Sequence, residues 1–312
     1  MKSNLLLLFM LFFPVYLFSQ GENDKIIYLD STFRKTNMEN HVYYRIVRDY
    51  NLEQESYKIE EFYKSGILKS SGTSSQNINY KYNGVVSTFY ENKTLESETN
   101  YRDGQPDGNY FSWHPNGKKA TEGEFILDEF SKYNQKILKI KQYWDSNGVQ
   151  KVKDSNGILE EVNSDYYATG EIKNGLKNGN WNGLDRKLKI SFSENFANGK
   201  FISGISTDKD SIKHSYNEVE QRPSPKKGIN HFYTFVGKKF KSKTNGTGKI
   251  ILSFIIEKNG EINEIEVLKG IDNELDKEAI RVLNLYSDWQ PGKYRGINVR
   301  VLYSLPISIV QH

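Results

Sequence analysis

Residues 248–306 have the sequence GKIILSFIIEKNGEINEIEVLKGIDNELDKEAIRVLNLYSDWQPGKYRGINVRVLYSLP, and this stretch decides the fold. Its first segment places apolar side chains at every second position, as in a strand with one buried face: Ile250, Leu252, Phe254 and Ile256. Asn259-Gly260 follows, a pair that accepts positive φ at both central positions of a type I′ turn. Residues 263–267 then alternate again. The pattern predicts a β-hairpin.

A helix and a closing strand are predicted after this hairpin. Asp272 or Asn273 can cap the helix, and its apolar residues recur at helical intervals. These residues are Leu275, Ala279, Val282, Leu283 and Tyr286. Beyond Trp289-Gln290-Pro291-Gly292, alternation from Val299 to Leu305 predicts a last strand. Upstream, residues 222–240 predict another helix, because four apolar residues there have helical spacing: Ile229, Phe232, Val236 and Phe240.

Taken together, these motifs resemble the C-terminal domain of the TonB family. The matching motifs are Gly248, Asn259-Gly260, Val267-Leu268-Lys269-Gly270, Leu275-Asp276-Lys277-Glu278-Ala279-Ile280-Arg281, Trp289-Gln290-Pro291-Gly292 and Tyr303-Ser304-Leu305-Pro306-Ile307. The resemblance implies an α+β domain over residues 226–312, with two helices on a three-stranded antiparallel sheet. One departure is that Lys241-Ser242-Lys243 replaces a Tyr-Pro pair of the family.

Residues 57–205 repeat a short phrase of aromatic residues followed by Asn-Gly or a lone glycine, as at Trp113-His114-Pro115-Asn116-Gly117-Lys118. Each copy predicts a turn between two short strands, because glycine accepts positive φ. The phrases at residues 104–110 and 175–181 resemble MORN-type repeats of the variety called YwqK-like. The prediction is an all-β region of MORN-like hairpins in a meander, with residues 21–56 as an N-terminal cap and residues 206–225 as a linker.

The first residues predict export. An apolar run over residues 5–18 follows a single early lysine, which is typical of a signal peptide and short for a membrane span. The prediction is a signal peptide over residues 1–20, cleaved near Gln20, and a periplasmic protein. The alternative is an uncleaved N-terminus that anchors the chain in the inner membrane, facing the periplasm. The chain has no cysteine, so its stability comes from packing without disulfides.

Composition and motifs give no sign of catalysis. Net charge is only +4, with 43 basic and 39 acidic residues, which argues against a nucleic-acid partner. The histidines are His41, His114, His214, His231 and His312, and their spacing predicts no metal site. For His114, at the tip of a repeat turn, we expect a hydrogen-bonded surface role. The sequence holds no nucleophile motif, so we expect no catalytic residue and no cofactor.

Two functions follow from this organisation. The TonB resemblance implies that the last strand binds an extended peptide of an outer-membrane TonB-dependent transporter by strand addition, in transport across the outer membrane. The residues that the resemblance assigns to this contact are Asn298, Val299, Arg300, Val301, Leu302, Tyr303 and Ser304. Full energy transduction also needs an anchor and a Pro-rich spacer, and the chain has only seven prolines. The alternative is a secreted repeat scaffold that binds an envelope protein, a glycan or a membrane surface, with the terminal domain as a generic docking unit.

Overall fold

The structure is a computed structural model that describes residues 21–130, 135–241 and 246–309. The predicted signal peptide over residues 1–20 lies outside the described residues, as do Ser242 and Lys243 of the replaced pair. The chain forms two compact units, Met1–Ser155 and Asn156–His312.

The first unit is an antiparallel meander in which each strand pairs with the next along the chain. Its strands are β1 Lys25–Leu29, β2 Tyr43–Val47, β3 Tyr57–Tyr63, β4 Leu68–Ser74, β5 Tyr82–Phe89, β6 Leu95–Arg102, β7 Gln105–Trp113, β8 Lys119–Leu127, β9 Lys136–Trp144 and β10 Gln150–Lys153. The predicted all-β meander is therefore confirmed.

The repeat turns of this unit are linked by a ladder of side-chain hydrogen bonds. The Tyr63 hydroxyl donates to the Phe89 carbonyl at 2.9 Å, and the Tyr90 hydroxyl donates to the Trp113 carbonyl at 2.9 Å. His114 takes the same position one turn later, with Nε2 at 2.8 Å from the carbonyl oxygen of Trp144. Each of these residues begins a turn, and its ring satisfies a backbone group of the following hairpin. The hydrogen-bonded role expected for His114 is confirmed.

The second unit begins with another meander of paired neighbours. Its strands are β11 Asn156–Val162, β12 Tyr166–Lys173, β13 Leu176–Asp185, β14 Ile190–Ala197, β15 Lys200–Thr207 and β16 Lys213–Tyr216. Asn174-Gly175 and Asn198-Gly199 join two of its hairpins with positive φ at both residues. This is the type I′ geometry, which matches the right-handed twist of the flanking strands.

The rest of the second unit is an α+β region. Two short strands, β17 Glu220–Gln221 and β18 Ser224–Pro225, precede helix α1 Ile229–Lys239. Then come β19 Gly248–Ile256, β20 Ile262–Lys269, α2 Asn273–Asn284, β21 Trp289–Gln290, β22 Gly292–Tyr294, β23 Ile297–Val299 and β24 Val301–Ile309. The main sheet has the strand order β20-β19-β24, and two smaller sheets are ordered β17-β22-β23 and β18-β21.

The core of this region lies between the main sheet and the two helices. Phe254 on β19, Leu275 and Leu283 on α2, Phe232 on α1 and Trp289 are fully buried in one cluster. Each such side chain contributes roughly 1.5–3 kcal/mol through burial. The predicted α+β class, with helices on a three-stranded sheet, is thus present.

Two local predictions about this region are wrong. Of the Asn259-Gly260 pair only Gly260 has positive φ, +88°, and its amide donates to the Glu257 carbonyl at 2.9 Å. The hairpin therefore has a three-residue loop, in which a type I turn is followed by a glycine in the left-handed conformation, and not a two-residue type I′ turn. The single last strand predicted from Val299 onward is also divided, because residues 297–299 form β23 in a different sheet from β24.

Candidate docking site

The seven residues assigned to peptide contact lie on two different strands. Asn298 and Val299 belong to β23, while the segment from Val301 to Ser304 belongs to β24, and Arg300 lies between the two strands. Within the described part of the chain, β24 pairs with β19 alone and so forms an edge of the main sheet. The structure thus places four of the predicted residues on a free sheet edge and three beside it.

The free edge of β24 can be assigned from Pro306. Pro306 lies opposite Ile251 in the register of β19 and β24, yet proline has no amide hydrogen to donate. Opposed residues of an antiparallel pair either exchange both hydrogen bonds or exchange none, so Pro306 belongs to the second kind. Leu302 and Ser304 lie four and two residues before Pro306, so they are non-hydrogen-bonded positions of the same kind. Their amide and carbonyl groups therefore point away from β19, toward the free edge. The Tyr233 hydroxyl of α1 donates to the outward Pro306 carbonyl at 3.4 Å.

Side chains on this edge are ordered by the same alternation. Leu305 and Ile307 are buried against the core, whereas Leu302 is 50% exposed. Arg300 forms ion pairs with Glu257, at 2.9 Å, and with Glu264. These ion pairs tie the start of β24 to the β19–β20 hairpin, and they raise the pKa of Arg300 above its usual value.

A second feature of the region is a buried junction between the α+β region and the repeat strands. The turn between β22 and β23 carries Arg295, whose Nε donates to Glu194 Oε1 at 2.8 Å. Each of these side chains is only 4% exposed. The guanidinium also lies over the Phe192 ring, 3.6 Å from its centroid, and the Tyr216 hydroxyl donates to Glu194 at 2.8 Å. Two opposite charges thus meet in an aromatic enclosure that excludes water.

The backbone at the junction is also fixed by hydrogen bonds. Arg295 has φ +49° and Gly296 has φ +79°, which makes this a type I′ turn. The Arg295 amide donates to the Val219 carbonyl at 2.7 Å, and its own carbonyl accepts from the Ser206 hydroxyl at 2.7 Å. A left-handed conformation costs a non-glycine residue roughly 1–3 kcal/mol, which these bonds offset.

Sequence reasoning missed this junction. The turn has Arg-Gly where Asn-Gly or Asp-Gly would have been recognised, and Arg295 and Glu194 are 101 positions apart. The available signal was the alternating segment KYRGINV, residues 293–299, which has a glycine at its centre.

The environment of the junction raises the pKa of the two neighbouring tyrosines, Tyr166 and Tyr216. Burial and the nearby Glu161 carboxylate raise the pKa of Tyr166 to about 12. Burial and the hydrogen bond to Glu194 raise the pKa of Tyr216 as well. Burial lowers the pKa of Arg295, but the hydrogen bond and charge of Glu194 outweigh it, so its pKa lies above the usual value. Both tyrosines are therefore neutral hydrogen-bonding groups at physiological pH, and the arginine is charged.

Among the described residues, no group of three or more His, Cys, Asp or Glu side chains is arranged to hold a metal ion. Over the same residues, no helix is both long and apolar enough to cross a membrane.

Comparison with protein families agrees with this architecture. Residues 242–308 match the family described as Gram-negative bacterial TonB protein C-terminal. Residues 82–103 and 106–126 match the family described as a MORN repeat variant, and each match covers one hairpin, β5–β6 and β7–β8. Comparison with curated proteins gave no match.

The chain therefore carries a TonB-type C-terminal domain behind MORN-type repeats, and the resemblance seen in the sequence is confirmed. A domain of this type points to a protein of the Gram-negative cell envelope and makes a protein partner plausible.

Proposed function

We propose that this chain is a non-enzymatic docking protein of the periplasm, whose TonB-type domain binds an extended peptide by adding it to the free edge of β24. The observation that carries the proposal is the pairing of β24, which among the described strands has β19 on one side and no strand on the other. Strand addition obtains its affinity from main-chain hydrogen bonds and needs few particular side chains.

The edge limits where such a peptide would bind. Leu302 and Ser304 offer outward amides and carbonyls, whereas Pro306 offers no amide and its carbonyl accepts from Tyr233. An added strand would therefore pair with residues 301–305 and end before Pro306. This is a short ladder, so specificity would depend on neighbouring side chains such as the exposed Leu302.

The partner that the TonB-type match favours is an extended segment of an outer-membrane TonB-dependent transporter. Repeats precede the domain where a Pro-rich spacer would be needed for full energy transduction. The proposal is accordingly one of docking to a transporter or another envelope protein, without a conveyed mechanical force.

A second candidate is a repeat scaffold in which the TonB-type domain serves as a docking unit for another envelope component. The buried pair of Arg295 and Glu194 favours it, because this pair joins the domain to the last repeat strands as one packed body. In this candidate the repeats would bind an envelope protein, a glycan or a membrane surface.

The test of strand addition compares two variants at one position of the full chain. Leu302→Pro removes an outward amide, whereas Leu302→Ala removes only the exposed side chain. Binding of synthetic extended peptides of TonB-dependent transporters would be measured by calorimetry. We expect Leu302→Pro to abolish binding and Leu302→Ala to weaken it only slightly.

Equal losses in both variants, with unchanged thermal unfolding, would count against strand addition. Absence of binding by every transporter peptide, together with retention of the protein on purified envelope glycan, would favour the scaffold. Intact-mass analysis of the native protein from separated cell fractions tests the location. A start near Gly21 in the soluble periplasm agrees with the proposal, and an intact N-terminus in the inner membrane contradicts it.

A further inference from the structure

A cleft of about 720 Å³ lies in the second unit, beside the β22–β23 hairpin. Its apolar lining is Leu188 from the turn between β13 and β14, Ile190 from β14, and Ile297 and Val299 from β23. Ile190 is buried and Leu188 is 44% exposed, so the cleft has a hydrophobic floor that is open to solvent.

Most charged groups of the cleft already have partners. Lys209 forms an ion pair with Asp210 at 2.8 Å. The Asp208 carboxylate lies 2.8 Å from His214 Nε2, within hydrogen-bond distance. Arg300 is held by two glutamates of the β19–β20 hairpin. These groups add little net charge to the cleft.

Lys258 and Lys293 are different, because neither forms an ion pair with a described residue, and both side chains are exposed. They lie on either side of Asn298. Lys293 is opposite Asn298 in the register of β22 and β23, and the Asn298 amide group donates to the Lys258 carbonyl at 2.9 Å. Two uncompensated positive charges therefore flank a single strand residue at the mouth of an apolar cleft.

The strand between these lysines is itself an edge. In the described part of the chain β23 pairs with β22 only, and residues 297–300 line the cleft. An extended chain in the cleft would thus meet unpaired main-chain groups, apolar side chains and two ammonium groups together.

We propose that this cleft binds an extended acidic peptide of a partner protein. Carboxylates of the peptide would pair with Lys258 and Lys293, alternate apolar side chains would contact Leu188 and Val299, and its backbone would bond to β23. The proposal goes beyond the β24 edge, since the cleft binds its peptide whether or not β24 accepts a strand. A peptide fits better than a lipid surface, because the apolar lining lies within a cleft beside a strand edge.

The experiment uses the full chain and a fluorescent peptide that alternates glutamate with valine, with a peptide that alternates glutamine with valine as its control. Variants are Lys258→Glu, Lys293→Glu and the double change. Lys269→Glu is the matched control, because Lys269 is an exposed lysine on β20, away from the cleft. Binding is measured by fluorescence anisotropy at two salt concentrations.

We expect each cleft variant to weaken glutamate-peptide binding on the order of tenfold, with Lys269→Glu and Leu302→Pro close to the parent. Binding should also weaken at higher salt. Slowed amide exchange of residues 297–299 in the bound state would locate the peptide on β23. These results would support the cleft even if no transporter peptide bound β24.

Three results would overturn the proposal: no binding of the glutamate peptide, equal binding of the glutamine peptide, or equal loss with Lys269→Glu. Loss in Leu302→Pro without loss in the lysine variants would place the peptide on β24 and also overturn it. Binding to phosphatidylglycerol vesicles that depends on Lys258 and Lys293, without peptide binding, would replace the peptide by a lipid surface. Thermal unfolding of each variant separates lost binding from lost folding.

Discussion

Arg295 Nε lies 2.8 Å from Glu194 Oε1, and the two side chains, 101 positions apart, are each 4% exposed. Glu194 comes from β14 of the repeats and Arg295 from the β22–β23 turn of the TonB-type domain. A carboxylate that is buried in the repeats thus has its counter-charge on the other domain. The two domains of this unit are therefore complementary in charge at this contact.

Removal of Arg295 should destabilise the second unit strongly. Arg295→Ala leaves the Glu194 carboxylate buried without its counter-charge, which costs about 3–5 kcal/mol in the free energy of unfolding. Arg300→Ala is the matched control, because Arg300 is 48% exposed and its loss should cost about 1 kcal/mol or less. Urea unfolding of both variants measures the difference.

The pairing itself is tested by the double variant Arg295→Ala with Glu194→Ala. The second change removes the Glu194 carboxylate that the first change leaves without a counter-charge. We therefore expect the double variant to lose less free energy of unfolding than the sum of the two single variants. Additive losses would show that the two side chains act independently, contrary to the geometry.

The sequence predicted the features that depend on local patterns. The period-two alternation of β19 and β20, the helical spacing of α2 and its Asp272 cap were all visible, and Asp272 does accept from the amides of Glu274 and Leu275. Glycine after a short polar phrase likewise marked the repeat turns. Such signals arise within a few residues and need no knowledge of the tertiary fold.

The features that sequence missed depend on distant contacts. No periodicity of the sequence relates Arg295 to Glu194, which is 101 positions away. A charged residue also gives no sign in the sequence that it is buried. The division of the last strand has the same origin, because residues 297–299 alternate well enough to continue into β24. The neighbouring β22 pairs with them instead. Local propensity describes a strand but does not choose its partner.

Alkaline pH should weaken the junction. The pKa of Tyr166 is raised by burial and by Glu161 to about 12, so the folded state holds this proton more tightly than the unfolded state. Its stabilisation is complete below the ordinary tyrosine value of 10.0 and is lost as pH rises from there through about 12. Thermal unfolding over this range should decline less in Tyr166→Phe, which has no proton to lose. An equal decline in both proteins would contradict the assignment.

Two glycines of the TonB-type domain should respond to alanine in opposite directions. Gly260 has φ +88°, and a Cβ there would lie 2.5 Å from the Trp289 carbonyl oxygen, so Gly260→Ala should cost about 1–3 kcal/mol. Gly237 lies in α1, and apart from its chain neighbours and the backbone of its own helix no heavy atom lies within 4 Å of an added Cβ. Gly237→Ala should therefore stabilise the domain by about 0.4–1 kcal/mol. Denaturant unfolding midpoints of both variants measure these changes. A lower stability of Gly237→Ala, or an unchanged stability of Gly260→Ala, would contradict the geometry.

Acid should destabilise the N-terminal strands through Arg48. Its guanidinium bonds to Asp24 at 2.7 Å and to Glu60 at 2.8 Å. Burial raises the pKa of Asp24, but Arg48 and two backbone amides outweigh it, so the pKa lies below 3.8. The pKa of Glu60 is also lowered from 4.5, because its bonds to Lys58 and Arg48 outweigh burial. A lowered folded pKa gives stability that is present above the unfolded value and is lost as pH falls through the folded one.

The free energy of unfolding should accordingly fall as pH drops below the ordinary values of 4.5 and 3.8. Arg48→Met removes the shared donor, so we expect it to cost about 1.5–3 kcal/mol at neutral pH and to flatten the acid decline. Lys277→Met, a change at an exposed lysine on α2, should leave the acid decline unchanged. An undiminished acid decline in Arg48→Met would show that other carboxylates cause it, because the loss of Arg48 removes a bond that lowers the pKa of both Asp24 and Glu60.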